Sequence, residues 1–496
     1  MATASEAPVA GIELNGINVI EEAERKGRPR DLFWPWFAAN VSVLAMSYGS
    51  YFLGFGISLW QAVVAGIIGI VASFGICGFI AVAGKRGSAP TMVLSRAAFG
   101  VNGNRIAAVI SWLLCVGWET VLTALATEAT ATVFGRLGAG GGDVTKVIAF
   151  AVVALLIVGG GVAGFDVIMR MQAVITVITA VLTVVYIALV IHRVHWHAVS
   201  SMHGGGVPAF VGALILGATG FGLGWTNTAA DYSRYMPRRS SSAGIAGWTT
   251  FGASVAPIIL IVFGFLLAAS SKTLNTAITD NPIGALTTVL PTWFLIPFAV
   301  VAVLGLVGGA VLDIYSSGLT LLSAGFPFPR YVAAATDGVI MVLGAIYIVF
   351  IAGPNFLYNS LEGFLITLGV PIAAWAGVMV ADILLRRRDY AEAELYQPSG
   401  RYGCVRLLPV LLVVVGTGIG WGLVASFTGL SIYTWQGYLL GPLGLGGKGG
   451  TWASASLGVA VALAIGFVGW FVGGRGTVRR QEDLGRTTPT GQLVTN

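Results

Sequence analysis

Residues 204–237 constrain the fold of this chain more than any other stretch. They read GGGVPAFVGALILGATGFGLGWTNTAADYSRYMP, with no charge from Gly204 to Ala230, and are long enough to cross a bilayer. Glycines at positions 217, 220, 222 and 224 crowd the middle, and each costs a helix roughly 1 kcal/mol relative to alanine. Irregular backbone within a membrane persists only where it is buried in protein or lines a cavity. The stretch predicts a broken helix with a ligand site at the break; the alternative is that its glycines only let helices pack closely.

The composition indicates a membrane protein with many spans. Hydrophobic residues make up 56% of the chain and charged residues 10%, against about 25% charged in soluble domains. We expect no enzyme, since no soluble stretch is large enough to hold one. Cys77, Cys115 and Cys404 are scattered without the spacing of a disulfide framework or a zinc site. The net charge of +6 does not indicate nucleic-acid binding, and the polar N-terminus does not resemble a cleavable signal peptide.

Apolar windows of about 20 residues predict twelve spans. They cover roughly residues 34–57, 60–83, 105–134, 145–164, 171–192, 207–230, 247–268, 294–324, 331–352, 361–384, 405–427 and 452–473. An even number places both termini on one side, and basic residues favour the cytoplasm. With the termini inside, 22 of the 27 Lys and Arg residues are cytoplasmic. The remaining five are Arg136, Lys146, Arg193, Lys272 and Lys448. We therefore expect a multi-pass protein of the cell membrane with cytoplasmic termini.

This topology divides the chain into four parts. Residues 1–31 form a cytoplasmic tail, 32–390 a ten-helix core, 391–474 spans eleven and twelve, and 475–496 a second cytoplasmic tail. Span one is unusually rich in small and polar residues, so it also looks discontinuous. Two five-span halves, about 34–192 and 207–384, each beginning with a broken helix, are typical of an inverted-repeat transporter.

Two external segments carry weaker signals. Residues 280–291 predict a short helix, capped by Asp280 or Asn281 with Pro282 in its first turn, that could act as a lid. The segment between spans five and six contains every histidine of the chain. Ordinary loop histidines are favoured over a metal site there, because no acidic or cysteine ligand lies nearby. These histidines are His192, His195, His197 and His203.

Carboxylates inside the predicted spans are the most informative charges. An acidic side chain at mid-helix costs ~2.5–3.5 kcal/mol to insert, so it normally faces a cavity or a partner. Glu119 in span three lies roughly 21 Å from the cytoplasmic end at 1.5 Å per residue, and Asp313 in span eight is similarly deep. Glu128 lies nearer the outer end and is expected to snorkel. Asp231 and Asp382 lie at cytoplasmic ends, where solvated or paired carboxylates are favoured.

Span eight presents one small polar face, since its members recur at spacings of three and four. Hydroxyl oxygens suit sodium and a buried aspartate suits a proton, although such a face can also simply join helices. The residues of this face are Gly305, Gly309, Asp313, Ser316, Ser317 and Thr320. On span three, Cys115, Trp118 and Glu119 offer a carboxylate and an aromatic surface for a planar ligand. A lipid-facing or interfacial Trp118 is an equally weighted alternative.

Four motifs resemble the nucleobase–cation symporter family, which includes cytosine, purine, uracil, allantoin, hydantoin and thiamine permeases. They are GKRGSAPTMVLSRAAFG at 84–100, GWTNTAADYSRYMP at 224–237, DIYSSGL at 313–319 and TLGVPIAAWAGVMVADILLRRRDY at 367–390. The resemblance extends from about residue 30 to 475. It implies a LeuT-type fold, in which a bundle of spans one, two, six and seven moves against a scaffold of spans three, four, eight and nine.

The resemblance also implies where a substrate would bind. The site would lie between spans one, three, six and eight, with Glu119 hydrogen-bonding the base and either Phe221 or Trp225 stacking on it. Gly309 and Asp313 occupy positions that are asparagine in fungal purine–cytosine relatives, so the amide pair that recognises the base there is absent here. The remaining predicted substrate residues are Asn40, Ser42, Cys115, Trp118 and Gly222.

A coupling cation is implied as well. In sodium-coupled members it lies between carbonyls of span one and hydroxyls of span eight, which suggests Val43 and Ala45 with Ser316 or Ser317, beside Asp313. The two deep carboxylates favour a proton instead, because taking a carboxylate out of water favours its neutral form. No other metal and no cofactor is expected.

The function expected from the sequence is import of a nucleobase, cytosine or a purine first, with H⁺ or Na⁺ by alternating access in a monomer. The alternatives are an allantoin, hydantoin or thiamine carrier, an amine or amino-acid carrier on the same fold, and a membrane sensor without transport.

Overall fold

The computed structural model describes residues 12–426 and 433–484, and within them every regular element is helical. Nine of the described helices are long and apolar enough to cross a membrane, and a tenth is formed if the pair bent by 52° near the C-terminus is one span. These ten correspond to predicted spans two to ten and twelve. Span eleven coincides with a shorter apolar helix, Leu407–Gly422, and span one with two short helices, so the count of twelve stays a prediction.

The helices follow the predicted order, and we keep the span numbers for them. Span one consists of Phe33–Asn40 and Val43–Gly54, and span six of Val207–Thr219, the 3₁₀ segment Gly222–Thr228 and Ala229–Ser233. Spans two to five are Leu59–Gly87, Arg105–Arg136, Asp143–Ala163 and Phe165–Val190. Spans seven to ten are Ser242–Ser270, Leu295–Ser323, Arg330–Ile346 with a π turn Tyr347–Ala352, and Pro354–Leu385. Spans eleven and twelve are Leu407–Gly422 and Leu457–Gly473, the latter followed by Arg475–Asp483.

Spans one and six are both discontinuous. In span one the helix ends at Asn40, and Ser42 caps the next helix by accepting a hydrogen bond from the Leu44 N–H at 3.2 Å. In span six the α-helix ends at Thr219 and a 3₁₀ segment replaces it through the glycine-rich stretch. Glycines in span six, and the polar residues Asn40 and Ser42 in span one, weaken the helix at these places, which frees backbone groups in the middle of the molecule.

The spans pack as three groups. In the first group span seven packs on spans one and two, and span six packs on span two. Spans three, four, eight and nine form the second group, and spans ten, eleven and twelve the third. Span five lies against spans one and eight, between the first two groups. Glycine allows the closest contact in the first group. A Cβ on Gly264 of span seven would lie 1.9 Å from the Met46 carbonyl oxygen of span one. The first two groups correspond to the bundle and the scaffold expected from the sequence, and their junction contains the candidate site.

Short helices follow span seven on the side opposite the N-terminal segment. Lys272–Asp280 and Pro282–Thr288 pack against span one, and the second also contacts span three. Asn281, one of the two expected caps, caps the second helix, since its side chain accepts the Gly284 N–H at 2.9 Å. The Asp280 side chain lies outside the described part of the structure.

The peripheral acids have the following partners. Asp382 pairs with Arg386 at 2.6 Å, in agreement with a paired helix end. Glu128 pairs with Lys146 at 2.7 Å. The prediction of a solvated or paired carboxylate is wrong for Asp231, which is buried and accepts both the N–H and the hydroxyl of Thr91 at 2.8 Å. Asp231 is therefore part of the contact between span six and the loop after span two.

Candidate substrate and cation site

A cavity lies where the two helix breaks meet spans three and eight. Its volume is about 60 Å³. On this scale one water needs about 10–15 Å³, so the cavity has room for roughly four to six waters, comparable to a small ring compound. Seven of the residues predicted for substrate or cation binding line it: Asn40, Ser42, Ala45, Trp118, Phe221, Trp225 and Asp313.

Aromatic side chains form much of the wall. Phe221 packs on Tyr48 with ring centroids 5.0 Å apart, and Trp225 meets Trp36 edge-on at 5.7 Å. Trp118 lines the cavity from span three. Both Phe221 and Trp225 face the same cavity, so the choice between them as the stacking residue stays open. Several ring faces around a small cavity suit a flat ligand.

The polar groups of the wall are few. Asn40 donates one amide N–H to the Trp36 carbonyl at 2.8 Å, which fixes its orientation at the break. Asp313 is 4% exposed and its Oδ2 has no hydrogen-bond partner among the described residues. It is the one carboxylate among the cavity-lining residues of the part of the chain that the structure describes. An unpaired acceptor at the edge of a cavity can accept an N–H group from a ligand.

Two predicted substrate residues lie outside the cavity because they pack against neighbouring helices. A Cβ on Gly222 would lie 2.3 Å from the Phe74 backbone nitrogen, so this glycine lets span six approach span two. A Cβ on Gly309 would lie 3.0 Å from the Leu122 side chain, so this glycine lets span eight approach span three.

Cys115 also lies outside the cavity, at the contact of spans three and six. The Asn227 amide donates to its thiol at 3.5 Å and to the Ser111 hydroxyl at 2.7 Å. This contact lies on the side of the cavity that faces the N-terminal segment.

Glu119 lies behind the cavity wall, inside the scaffold. It is 0% exposed, and neither carboxylate oxygen has a hydrogen-bond partner among the described residues. The charged groups nearest to it are Asp337 of span nine and Asp313 of span eight, and the Ser317 hydroxyl lies close to both Glu119 and Asp337. Buried acids without a basic partner are costly as anions, so this group of carboxyls is suited to holding a proton or a cation.

Asp337 belongs to this group of buried carboxyls and was not predicted from the sequence. It is 0% exposed, and the Trp112 indole donates to its Oδ1 at 2.8 Å while Oδ2 has no partner in the described chain. Thr123 contacts Met341 one turn further along both helices, which places Glu119 level with Asp337. Asp337 lies inside the predicted ninth span, so the rule for intramembrane charge that identified Glu119 would have found it.

Backbone carbonyls of span one contact span eight at glycines, which have no hydroxyl side chain. Cβ atoms on Gly305 and Gly308 would lie 2.4 and 2.8 Å from the carbonyl oxygens of Val41 and Ala38. The Gln172 amide of span five donates to the Gly308 carbonyl at 2.7 Å. Glycine therefore lets the backbones touch at the place where a sodium ion was expected.

The predicted cation ligands are spread over several places. Ala45 lines the cavity and Val43 is buried in the second helix of span one. Ser316 pairs with the Tyr232 hydroxyl at 3.0 Å, and Ser317 donates to the Ile314 carbonyl at 3.1 Å. Both serines lie further along span eight than its contact with the span-one carbonyls.

The sequence from residue 19 to 441 matches the family of permeases for cytosine/purines, uracil, thiamine and allantoin. The chain belongs to this permease family. Among curated relatives it is 24% identical to the provisionally named purine-cytosine permease YxlA of Bacillus subtilis, over 82% of this chain and 86% of that protein. It is 23% identical to the purine-cytosine permease fcyB of Emericella nidulans, over 88% and 84% of the two chains.

Solved structures show the fold of this permease. The nucleobase-cation-symport-1 transporter Mhp1, closed with bromovinylhydantoin bound, is 20% identical with a TM-score of 0.67, over 94% of this chain and 98% of Mhp1. A Na⁺-coupled sialic acid symporter is 12% identical with a TM-score of 0.60, over 93% and 92%. The permease thus has the all-α, LeuT-type fold with a five-plus-five inverted repeat that the sequence predicts, and it is a multi-pass membrane protein.

Proposed function

We propose that this permease imports a nucleobase, cytosine or a purine, together with a cation by alternating access. The observation that supports this most is the small aromatic cavity at the meeting point of both helix breaks, where Asp313 Oδ2 and the Tyr48 hydroxyl have no hydrogen-bond partner in the described chain. In this proposal Trp118 and Phe221 or Trp225 sandwich the flat ring. The protein acts as a monomer in the cell membrane, with both termini in the cytoplasm.

Recognition of the base rests on hydrogen bonds at the ring edge. The Asp313 carboxyl accepts an N–H of the base whether or not it carries a proton, because it keeps acceptor capacity in both forms. Asn40 and Ser42 offer further polar atoms from span one. If the ligand has no N–H at this edge, Asp313 loses its contact with water on binding and gains no hydrogen bond in return. This cost weakens the binding of such ligands and gives selectivity for heterocycles that carry an N–H.

Transport follows from the position of the cavity between two packed groups. Spans one and six belong to the bundle, and spans three and eight to the scaffold, so a ligand contacts both groups at once. Rocking of the bundle against the scaffold opens the cavity to one side at a time. Substrate and cation are coupled only if both bind more tightly to the state that leads to occlusion.

We propose the proton as the coupling cation, held by Glu119 and Asp313. Glu119 lies in the scaffold beside Asp337, and no basic side chain of the described chain pairs with it. A proton removes the cost of burying such carboxylates. The sodium alternative uses Val43, Ala45, Ser316 and Ser317. It is less favoured because span one meets glycines of span eight rather than its hydroxyls.

An organic-cation carrier is the second candidate function. A carboxylate among aromatic faces is also the surroundings that bind amines and quaternary ammonium groups through cation–π contacts. Asp313 with Trp118, Phe221 and Tyr48 meets that description.

Uptake into proteoliposomes tests these proposals. Labelled cytosine, adenine, hypoxanthine, uracil, allantoin, hydantoin and thiamine would be offered under a proton gradient or a sodium gradient imposed separately. We expect accumulation of cytosine or a purine under the proton gradient. Accumulation of thiamine alone would favour the organic-cation carrier, and accumulation under sodium alone would overturn the proton assignment. Absence of uptake of every compound by folded protein would refute the transport proposal.

A further inference from the structure

The described part of the N-terminal segment crosses one face of the molecule. We call residues 12–26 the strap. Backbone N–H groups of the strap donate to carbonyls at the end of span four, after span two and after span six, over 2.8–3.0 Å. Ile20 within it is 1% exposed. The strap is therefore packed into the protein and touches both the bundle and the scaffold.

Glu13 joins groups from the two sides of this face. Its carboxylate accepts hydrogen bonds from Arg234 at 3.3 Å, from the Tyr315 hydroxyl at 3.2 Å and from the Phe165 N–H at 2.7 Å. The Tyr235 hydroxyl also donates to it. Arg234 and Tyr235 follow the last helix of span six, whereas Tyr315 belongs to span eight and Phe165 begins span five. One carboxylate thus bridges the bundle and the scaffold.

Two buried arginines find partners in the strap. Arg234 is 0% exposed and donates to the Gly16 carbonyl at 2.6 Å as well as to Glu13. Arg330, at the start of span nine, is 2% exposed and donates to the Glu13 carbonyl at 3.1 Å and to two carbonyls at the end of span four. A buried guanidinium that loses its partners is strongly unfavourable. The strap therefore compensates charge that would otherwise oppose closure of this face.

We propose that the strap is a latch that holds this face closed, with Glu13 as its central contact. The inference rests on the proposed function, in which the bundle carrying Arg234 moves against the scaffold carrying Tyr315. Glu13 cannot contact both once they separate, so its hydrogen bonds break when the face opens. Because it binds one state only, the strap shifts the equilibrium toward that state. It thereby limits how readily substrate leaves on this side.

The native cysteines allow a test without substrate. Cys115 lies about one helical turn from Trp118 in the direction of the strap, and it contacts Asn227 of span six across the junction. Opening of this face exposes it. In purified Cys77→Ser/Cys404→Ser protein, we expect Glu13→Gln to raise the rate of N-ethylmaleimide labelling of Cys115 roughly tenfold, equivalent to about 1.4 kcal/mol. Glu21→Gln, an exposed glutamate of the same strap, is the matched control and should leave the rate unchanged.

Two further variants keep the test decisive. Tyr315→Phe keeps the charge but removes one donor to Glu13 and one acceptor of Arg234 at 3.0 Å, while the other partners of Glu13 stay, so it should raise Cys115 labelling by a smaller factor. Cys77 donates to the Trp225 carbonyl at 3.5 Å within the bundle, so in Cys115→Ser/Cys404→Ser protein it should stay protected when Glu13→Gln is added.

Two results would overturn the latch. The first is unchanged Cys115 labelling in both Glu13→Gln and Tyr315→Phe, in protein that is monodisperse by size exclusion. The second is an equal rise at Cys77 and Cys115, which would mean general loosening of the fold. Labelling measures no uptake, so a failure of the latch is distinct from a failure of the proposed transport.

Discussion

At the scale of single residues, Asp313 makes the sharpest demand on a ligand, since its Oδ2 faces the cavity region without a partner in the described chain. Replacing Asp313 with alanine removes the hydrogen bond between the ligand and this carboxyl, which contributes about 1.5–3 kcal/mol to the free energy of binding. We expect Asp313→Ala to raise the KM for the transported compound roughly ten- to hundredfold, as measured by initial uptake into proteoliposomes. Asp313→Asn keeps an acceptor oxygen in a side chain of the same shape, so it should raise the KM by a smaller factor. An unchanged KM in Asp313→Ala would contradict the placement of substrate at this carboxyl.

Glu119 makes a different prediction, because it lies behind the wall and not on it. Glu119→Gln keeps the shape of the side chain but cannot release a proton. The variant should therefore still bind substrate but no longer couple its transport to protons. We expect counterflow exchange of substrate to continue while proton-driven accumulation falls to equilibration. Glu128→Gln is the control on the same helix, since Glu128 pairs with Lys146 at 2.7 Å away from the cavity. Normal accumulation by Glu119→Gln would exclude Glu119 as the coupling residue.

At the scale of elements, glycine sets how closely the bundle helices approach. Gly264→Ala would place a methyl group 1.9 Å from the Met46 carbonyl oxygen, so spans one and seven must move apart. Overpacking of this kind costs about 1–3 kcal/mol. We expect a lowered Tm for Gly264→Ala in a thermal unfolding assay of the purified protein.

Gly247 on the same helix is the matched control, since a Cβ there meets no atom within 4 Å. Gly247→Ala should be neutral or stabilising by up to about 1 kcal/mol, the difference in helix propensity. Equal melting temperatures for the two variants would mean that the contact of spans one and seven adjusts without cost.

The two broken spans were predictable because their signal is local. Glycine crowding in span six and small polar residues in span one weaken a helix wherever it lies, so the break follows from the sequence. The partner of a side chain is not local. Ser316 and Ser317 share a face with Asp313, and spacing alone cannot tell that Ser316 meets Tyr232. The same holds for Glu119, whose depth was predictable but whose position behind the cavity wall depends on how spans three and eight rotate against each other.

At the scale of the whole molecule, distant parts of the chain meet on the face that carries the strap. Arg25 donates to the Lys85 carbonyl at 3.2 Å, Arg86 to the Arg386 carbonyl at 3.1 Å, and Arg386 to Gln481 at 2.6 Å. The N-terminal segment, the end of span two, the end of span ten and the C-terminal helix therefore share one side. This requires an even number of crossings between them, which agrees with the topology that places 22 of 27 basic residues inside.

That topology can be tested with a thiol that the chain already has. Cys404 is exposed between spans ten and eleven, on the side predicted to be cytoplasmic, whereas Lys272 is exposed after span seven on the other side. In intact cells, a membrane-impermeant maleimide should label Lys272→Cys in a Cys404→Ser background. It should leave Cys404 of the unmodified protein unlabelled until the cells are permeabilised.

The reverse labelling pattern would mean that the orientation is inverted, and the strap would then close the outer face. Labelling of both positions in intact cells would mean that the number of crossings between them is even, which would contradict the span count.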